Sequence, residues 1–96
     1  MLVLVTYDVS TTTQAGRRRL SKVAKACTGA GMRVQFSVFE CDVDPAQWER
    51  FRAKLLKIIE PAEDSLRIYF LGSNWTRRIE HHGLQKAPDM GGLLEL

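Results

Sequence analysis

Among the first 33 residues a single acid, Asp8, stands against six cations, Arg17, Arg18, Arg19, Lys22, Lys25 and Arg33. It lies where the apolar run Leu2 to Val9 gives way to the polar stretch Ser10 to Thr13, a strand end of the kind on which folds present chemical groups. Two chemistries are open to it. A turn carboxylate accepts backbone amides, whereas an exposed one can ligate a hard cation. Magnesium takes oxygen donors, keeps several waters and is held by one or two carboxylates plus substrate phosphate. One Asp per chain is too few, but two related by a twofold axis suffice, so this reading requires a homodimer. A divalent ion held there lowers the pKa of a bound water and offsets charge on a scissile phosphodiester, with nearby arginines supporting the transition state.

Other reactive side chains take supporting parts. Tyr7 precedes Asp8 and points to the opposite side of an extended strand, which favours packing. Ser37 is either a polar positioning group or a local partner for the backbone. His81 and His82 are adjacent, so regular strand geometry turns their rings apart and away from any shared metal. No nucleophilic triad can be assembled. Cys27 and Cys41 lack the spacing of a disulfide framework or zinc knuckle, which fits a reducing cytoplasm.

The 96 residues carry 14 Lys or Arg against 11 Asp or Glu, a net charge of +3, and the pI is near 9.1. Beyond Arg33 the balance reverses, to eight cations and ten acids. The N-terminal third is therefore the anion-facing part, and a polyphosphate rewards such clustering because each neutralised phosphate releases counterions. The outward cations Arg18, Lys22, Lys25, Arg77 and Arg78, with Arg17, Arg19 and Arg33, are the candidate nucleic-acid contacts. No apolar run approaches the ~20 residues that span a bilayer, so no membrane partner is expected.

The elements that must position these groups follow from periodicity. Leu2 to Val9 is a β-branched apolar run that suits a central strand buried on both faces. Leu20, Val23, Ala24 and Cys27 recur at i, i+3, i+4 and i+7, a helical stripe expected to end near Thr28 before Gly29 and Gly31. Met32 to Val43 is extended, either one bent strand or two. Asp44, Pro45 and Gln47 form a capping box with proline at the first position, opening a helix whose stripe is Trp48, Phe51, Leu55, Ile58 and Ile59. In Ser65 to Leu71, Leu66, Ile68 and Phe70 alternate against Arg67, Tyr69 and Leu71. A further short strand is expected over Trp75 to His82. The order β, α, β(β), α, β, β predicts an α+β fold, a split βαβ sandwich with two helices on one face of an antiparallel sheet.

Five segments, VTYDV at 5–9, the basic helix from Arg17 to Lys25, RVQFSVFEC at 33–41, RIYFLG at 67–72 and RIEHHG at 78–83, together resemble the small CRISPR-associated endoribonuclease family of spacer acquisition. The resemblance covers nearly the whole chain. It implies a ferredoxin-like βαββαβ sandwich, a strand break near Ser37, and a homodimer whose last strand crosses to the partner's sheet. Residues 1–83 then form the domain, swapped strand included, and 84–96 a tail. It also implies that two copies of Asp8 share a magnesium ion at the dimer interface and cut single-stranded RNA or, in some members, double-stranded DNA. Arg17, Arg19, Arg33 and Phe39 match further motif positions, and Cys41 stands where the family commonly has glycine. Similar proteins bind the larger CRISPR integrase, which leaves a second class of function open, a noncatalytic DNA scaffold.

Overall fold

The computed structural model describes residues 1–83. Six main elements run in the order β1 (Leu2–Asp8), α1 (Gln14–Ala30), β2 (Met32–Gln35), β3 (Val38–Asp42), α2 (Pro45–Ile58) and β4 (Ser65–Gly72). The sheet order is β2-β3-β1-β4, antiparallel throughout, the topology of the expected ferredoxin-like α+β sandwich. The expected tail, 84–96, lies outside the described residues.

Burial along β1 shows how the layers are arranged. Val3, Val5 and Tyr7 are buried, and so are their cross-strand neighbours Phe39 and Cys41. They pack with Val23, Cys27, Trp48, Phe51 and Leu55 from the two helices. Trp48 lies edge-on to Phe51 at 5.8 Å and to Phe70 at 5.6 Å, the core role its helical spacing predicts. On the other side of β1, Leu4 and Thr6 are only half-buried and Asp8 is exposed. Burial on both faces was the expectation for β1; both helices cover one face, and the described chain supplies no layer for the other.

Local signals account for the element ends. The Thr13 hydroxyl accepts from the Gly16 amide at 3.0 Å and caps α1. Asp44 and Gln47 close the capping box of α2, at 2.7 and 2.8 Å. The first helix runs past Thr28 to Ala30. Gly31 then follows in extended backbone at φ −165°, so left-handed freedom is not what it supplies. A side chain there would meet the Glu40 carbonyl and, at 2.6 Å, the Cys41 Sγ; glycine is required by the close approach of β3. The extended stretch from Met32 is two strands, broken at Phe36 and Ser37, where the Ser37 carbonyl accepts from the Tyr7 amide at 3.1 Å.

The strand expected over Trp75 to His82 is not formed in this chain. Gly72 ends β4 at φ +75°, Trp75–Arg77 make one turn of 3-10 helix, and the Arg78 guanidinium folds back on the Leu71 carbonyl at 2.7 Å. A strand needs a partner strand, and among the described residues this segment pairs with neither edge strand, β2 or β4.

Candidate functional site

Directly opposed residues of an antiparallel pair share a face, and the register of β1 with its neighbours therefore places the site. Thr6 faces Val38 on one side and Arg67 on the other, Leu4 faces Tyr69, and Asp8 faces Ser65. All lie on the open face. All but Leu4 line, with Tyr7 and Ser37, a shallow cleft of about 350 Å³. Among the described residues the Asp8 carboxylate accepts no hydrogen bond and pairs with no cation. The turn-carboxylate role is therefore not the one it plays here.

That role belongs to Asp64, which the sequence reading passed over. Its side chain is fully covered and accepts from the Ser10 amide at 3.1 Å, the Glu60 amide at 2.8 Å and Arg19 Nε at 2.8 Å. A second Arg19 nitrogen reaches Asp64 at 3.1 Å and Glu63 at 3.2 Å. Asp64 thereby ties the chain leaving Asp8 to the chain entering β4 and to α1. A signal existed: if β1 and β4 are antiparallel neighbours, an acid just before β4 lies beside the residues just after β1.

The Arg19 hydrogen bonds, helped by the two backbone amides, hold the Asp64 carboxyl down at about 2. A folded-state pKa below that of the unfolded chain gives stability that is complete above the unfolded carboxylate range and lost as pH falls toward 2. Asp64→Ala is expected to lower stability at neutral pH by about 3 kcal/mol, because it orphans buried donors and one partner of a sheltered ion pair. Urea unfolding from pH 7 to pH 2 checks this. The native protein should lose stability over the lower part of that range, and the variant should show a shallower acid limb.

Tyr7 is a core residue that anchors the neighbouring turn. Burial pushes its phenol pKa up, so the hydroxyl stays protonated and donates to the Phe36 carbonyl at 3.2 Å. With the backbone bond to Ser37, this hooks the β2–β3 turn beside Asp8. Phe39 stacks on Tyr7 at a centroid distance of 6.3 Å. Arg33 lies 5.0 Å over the Phe39 ring, on the helix side of the sheet, and so is not brought to Asp8. Arg17 donates to the Thr11 carbonyl at 3.1 Å and fastens the loop that follows Asp8. Arg18, Lys22, Lys25 and Arg77 are exposed on the surface, while Arg19 is occupied by Asp64.

Arg67, absent from the candidate nucleic-acid contacts, is exposed in the Asp8 cleft, with one guanidinium nitrogen 3.4 Å from the Tyr69 hydroxyl. Alternation along β4 puts it on the side opposite Leu66 and Ile68, and the β1–β4 register shows that this side carries Asp8. The histidines stay apart from the cleft: His82 pairs with Glu80 at 2.6 Å and His81 contacts the Gly83 carbonyl at 2.7 Å. Burial raises the Cys27 and Cys41 thiols to about 12 and about 11, so they are neutral core groups. Among the described residues no three His, Cys, Asp or Glu side chains converge on a metal position, and no helix is long and apolar enough to cross a membrane. The cleft's oxygen donors, the Asp8 carboxylate beside the Ser37 and Ser65 hydroxyls, are the hard type that magnesium accepts.

Comparison with known proteins identifies the family of the chain. The family model described as CRISPR associated protein Cas2 matches residues 1–79. A Chlorobaculum tepidum protein named CRISPR-associated endoribonuclease Cas2 is 62% identical over the whole of both chains. One from Rhodospirillum rubrum with the same name, numbered 3, is 57% identical over 99% of this chain and 100% of its own. The crystal structure of Streptococcus pyogenes Cas2 superposes with a TM-score of 0.74 at 55% identity, covering 86% of this chain and all of that one.

Proposed function

Because this chain belongs to the CRISPR associated protein Cas2 family, we propose that it is a magnesium-dependent endoribonuclease whose site forms where two copies present Asp8 to each other. The observation that carries this reading is an exposed carboxylate, unpaired among the described residues, on the uncovered face of the sheet. That face also carries Leu4, Val38, Met32 and Tyr69, the last two 63% and 43% exposed, so a second copy seated on it removes apolar surface from water. The names of the relatives supply the reaction class, endonucleolytic cleavage of RNA.

Within such a dimer the two Asp8 carboxylates would hold the ion, with the Ser37 hydroxyls at the rim of the cleft. Bound magnesium supplies charge neutralisation at the phosphoryl oxygens. The chain's own residues do the remainder. Arg67 binds a non-bridging phosphate oxygen through its forked donors, Tyr7 fixes the Ser37 turn, and Asp64 with Arg17 holds the loop beyond Asp8. In the dimer the segment after Gly72, which pairs with no strand of its own protomer among the described residues, would cross to the partner's sheet and form the last strand there. Two neutral buried thiols are compatible with a cytoplasmic setting.

Chelation provides the test of the metal. Excess EDTA is expected to reduce cleavage of a single-stranded RNA on the order of 100-fold or more, and added magnesium to restore it. Cleavage that persists in EDTA would exclude this chemistry.

The second reading, a DNA-holding partner of the CRISPR integrase, is favoured by the exposed cations Arg18, Lys22 and Lys25 on α1, since phosphate contacts position a duplex without reading it. The two readings are compatible on separate surfaces. Integrase co-purifying with the intact chain, and double-stranded DNA retained by an Asp8→Asn variant, would support it.

A further inference from the structure

Most of the large aromatic and apolar side chains that the fold leaves exposed have a partner or a covering surface. Phe70 lies edge-on to Trp48, and Met32 and Tyr69 belong to the face on which a second copy would sit. Phe36 has neither. It is 54% exposed, and among the described residues its ring pairs with no other aromatic ring.

Its position is as unusual as its exposure. Gln35 pairs with Val38, so Phe36 and Ser37 are the two residues of a hairpin turn, a place that favours Gly, Asn or Asp. An aromatic ring contributes nothing to such a turn and leaves apolar surface in water. The turn is nonetheless held fast. The Tyr7 hydroxyl donates to the Phe36 carbonyl at 3.2 Å and the Tyr7 amide to the Ser37 carbonyl at 3.1 Å. Both bonds come from the residue before Asp8, so the turn sits at the end of β1, one to two strand spacings, about 5–10 Å, from Asp8 at the backbone. It lies beyond Thr6 and Val38, the last pair of the β1–β3 register, at the rim of the face rather than within it.

On the other side of β1, Arg67 is the cross-strand partner of Thr6. Across the cleft the order is therefore guanidinium, carboxylate, aromatic ring. A nucleic-acid strand running across β1 would give its phosphates to Arg67 and the Asp8 site and carry a neighbouring base to the turn. Phosphates are common to single strands and duplexes, but a free base face is not: a duplex stacks and pairs its bases inside, whereas a single strand can splay them onto an aromatic side chain.

We infer that Phe36 is a specificity-determining residue of the Asp8 site, stacking on an unpaired nucleobase beside the scissile phosphate and so selecting single-stranded over duplex RNA. The inference rests on the proposed cleavage of RNA at Asp8 and names the substrate feature that site reads. Every base has a π-face, so the contact is indifferent to sequence.

The test is fluorescence anisotropy of the full-length protein with a labelled single-stranded RNA and with an RNA duplex, both in EDTA so that binding is read without metal-supported cleavage, for the native chain, Phe36→Ala and Phe36→Tyr. Loss of one stacked base should weaken single-strand binding by Phe36→Ala about tenfold or more, leave duplex binding within about twofold of native, and be rescued in Phe36→Tyr, which keeps the ring. A single abasic position moved along the strand should weaken native binding by the same factor at one place, and there should cost Phe36→Ala nothing further, since both changes remove the same contact. Equal weakening of single strand and duplex, with a fall in self-association by sedimentation, would make Phe36 a subunit contact and overturn the inference. Unchanged single-strand binding by Phe36→Ala would overturn it and leave cleavage at Asp8 standing. A native chain that binds no single-stranded RNA would overturn both.

Discussion

Replacement of Asp8 by Asn is expected to lower magnesium-supported cleavage of single-stranded RNA by about 1,000-fold, the scale seen when one group facing developing charge is lost. The substitution keeps the side chain's size and removes its charge. Because the Asp8 side chain is exposed and its carboxylate accepts no hydrogen bond among the described residues, unfolding free energy should move by no more than about 0.5 kcal/mol. The pairing of a large catalytic loss with an unmoved stability separates a metal ligand from a structural carboxylate. A cap residue would give the opposite pattern, with stability lost and cleavage falling only as the folded fraction falls. Cleavage within tenfold of the native rate would remove Asp8 from the reaction.

The second large effect is expected at Gly16, in the first turn of α1. Alanine at a helix interior position normally stabilises relative to glycine by about 0.5–1 kcal/mol. At Gly16 the added methyl would run into the Ser10 carbonyl, a backbone group whose own amide is held by Asp64. The loop after Asp8 cannot retreat without breaking that bond. Gly16→Ala should therefore destabilise by about 3 kcal/mol, a fall in Tm of roughly 12–24 °C for a domain of this size. Gly29, in the same helix with nothing within 4 Å of the added atom, supplies the contrast: Gly29→Ala should be neutral or stabilising. Thermal melts of both variants check the pair, and equal shifts would show that the Gly16–Ser10 approach is not confining.

Most of the elements were legible because their signals are local. The Asp44 capping box, the stripe from Trp48 to Leu55 and the alternation in β4 each act within a few residues, and each formed where its pattern lay. Asp8 was legible for a different reason, as the lone acid in a basic third of the chain. What could not be read depends on groups distant in sequence. Asp64 meets Arg19 and Ser10 across 45 and 54 residues, so nothing in its neighbourhood marks it as the carboxylate that organises the site. Gly31 looks like a helix stop and is in fact a gap left for β3. Arg67 reads as one polar position in an alternating strand until the β1–β4 register sets it near Asp8. The segment from Trp75 has the length of a strand, but a strand forms only where it pairs, and among the described residues this segment pairs with neither edge strand, β2 or β4.

The proposed site, served by two carboxylates, would behave as no single-protomer mechanism does. If native and Asp8→Asn chains carrying different tags are co-expressed and the mixed dimer is isolated, each molecule holds one intact carboxylate. Cleavage of single-stranded RNA by that mixed dimer is predicted to fall to the level of the doubly substituted protein, because the ion would have lost half of its protein ligands. Retention of half the native activity would contradict the shared site and assign complete chemistry to each protomer alone.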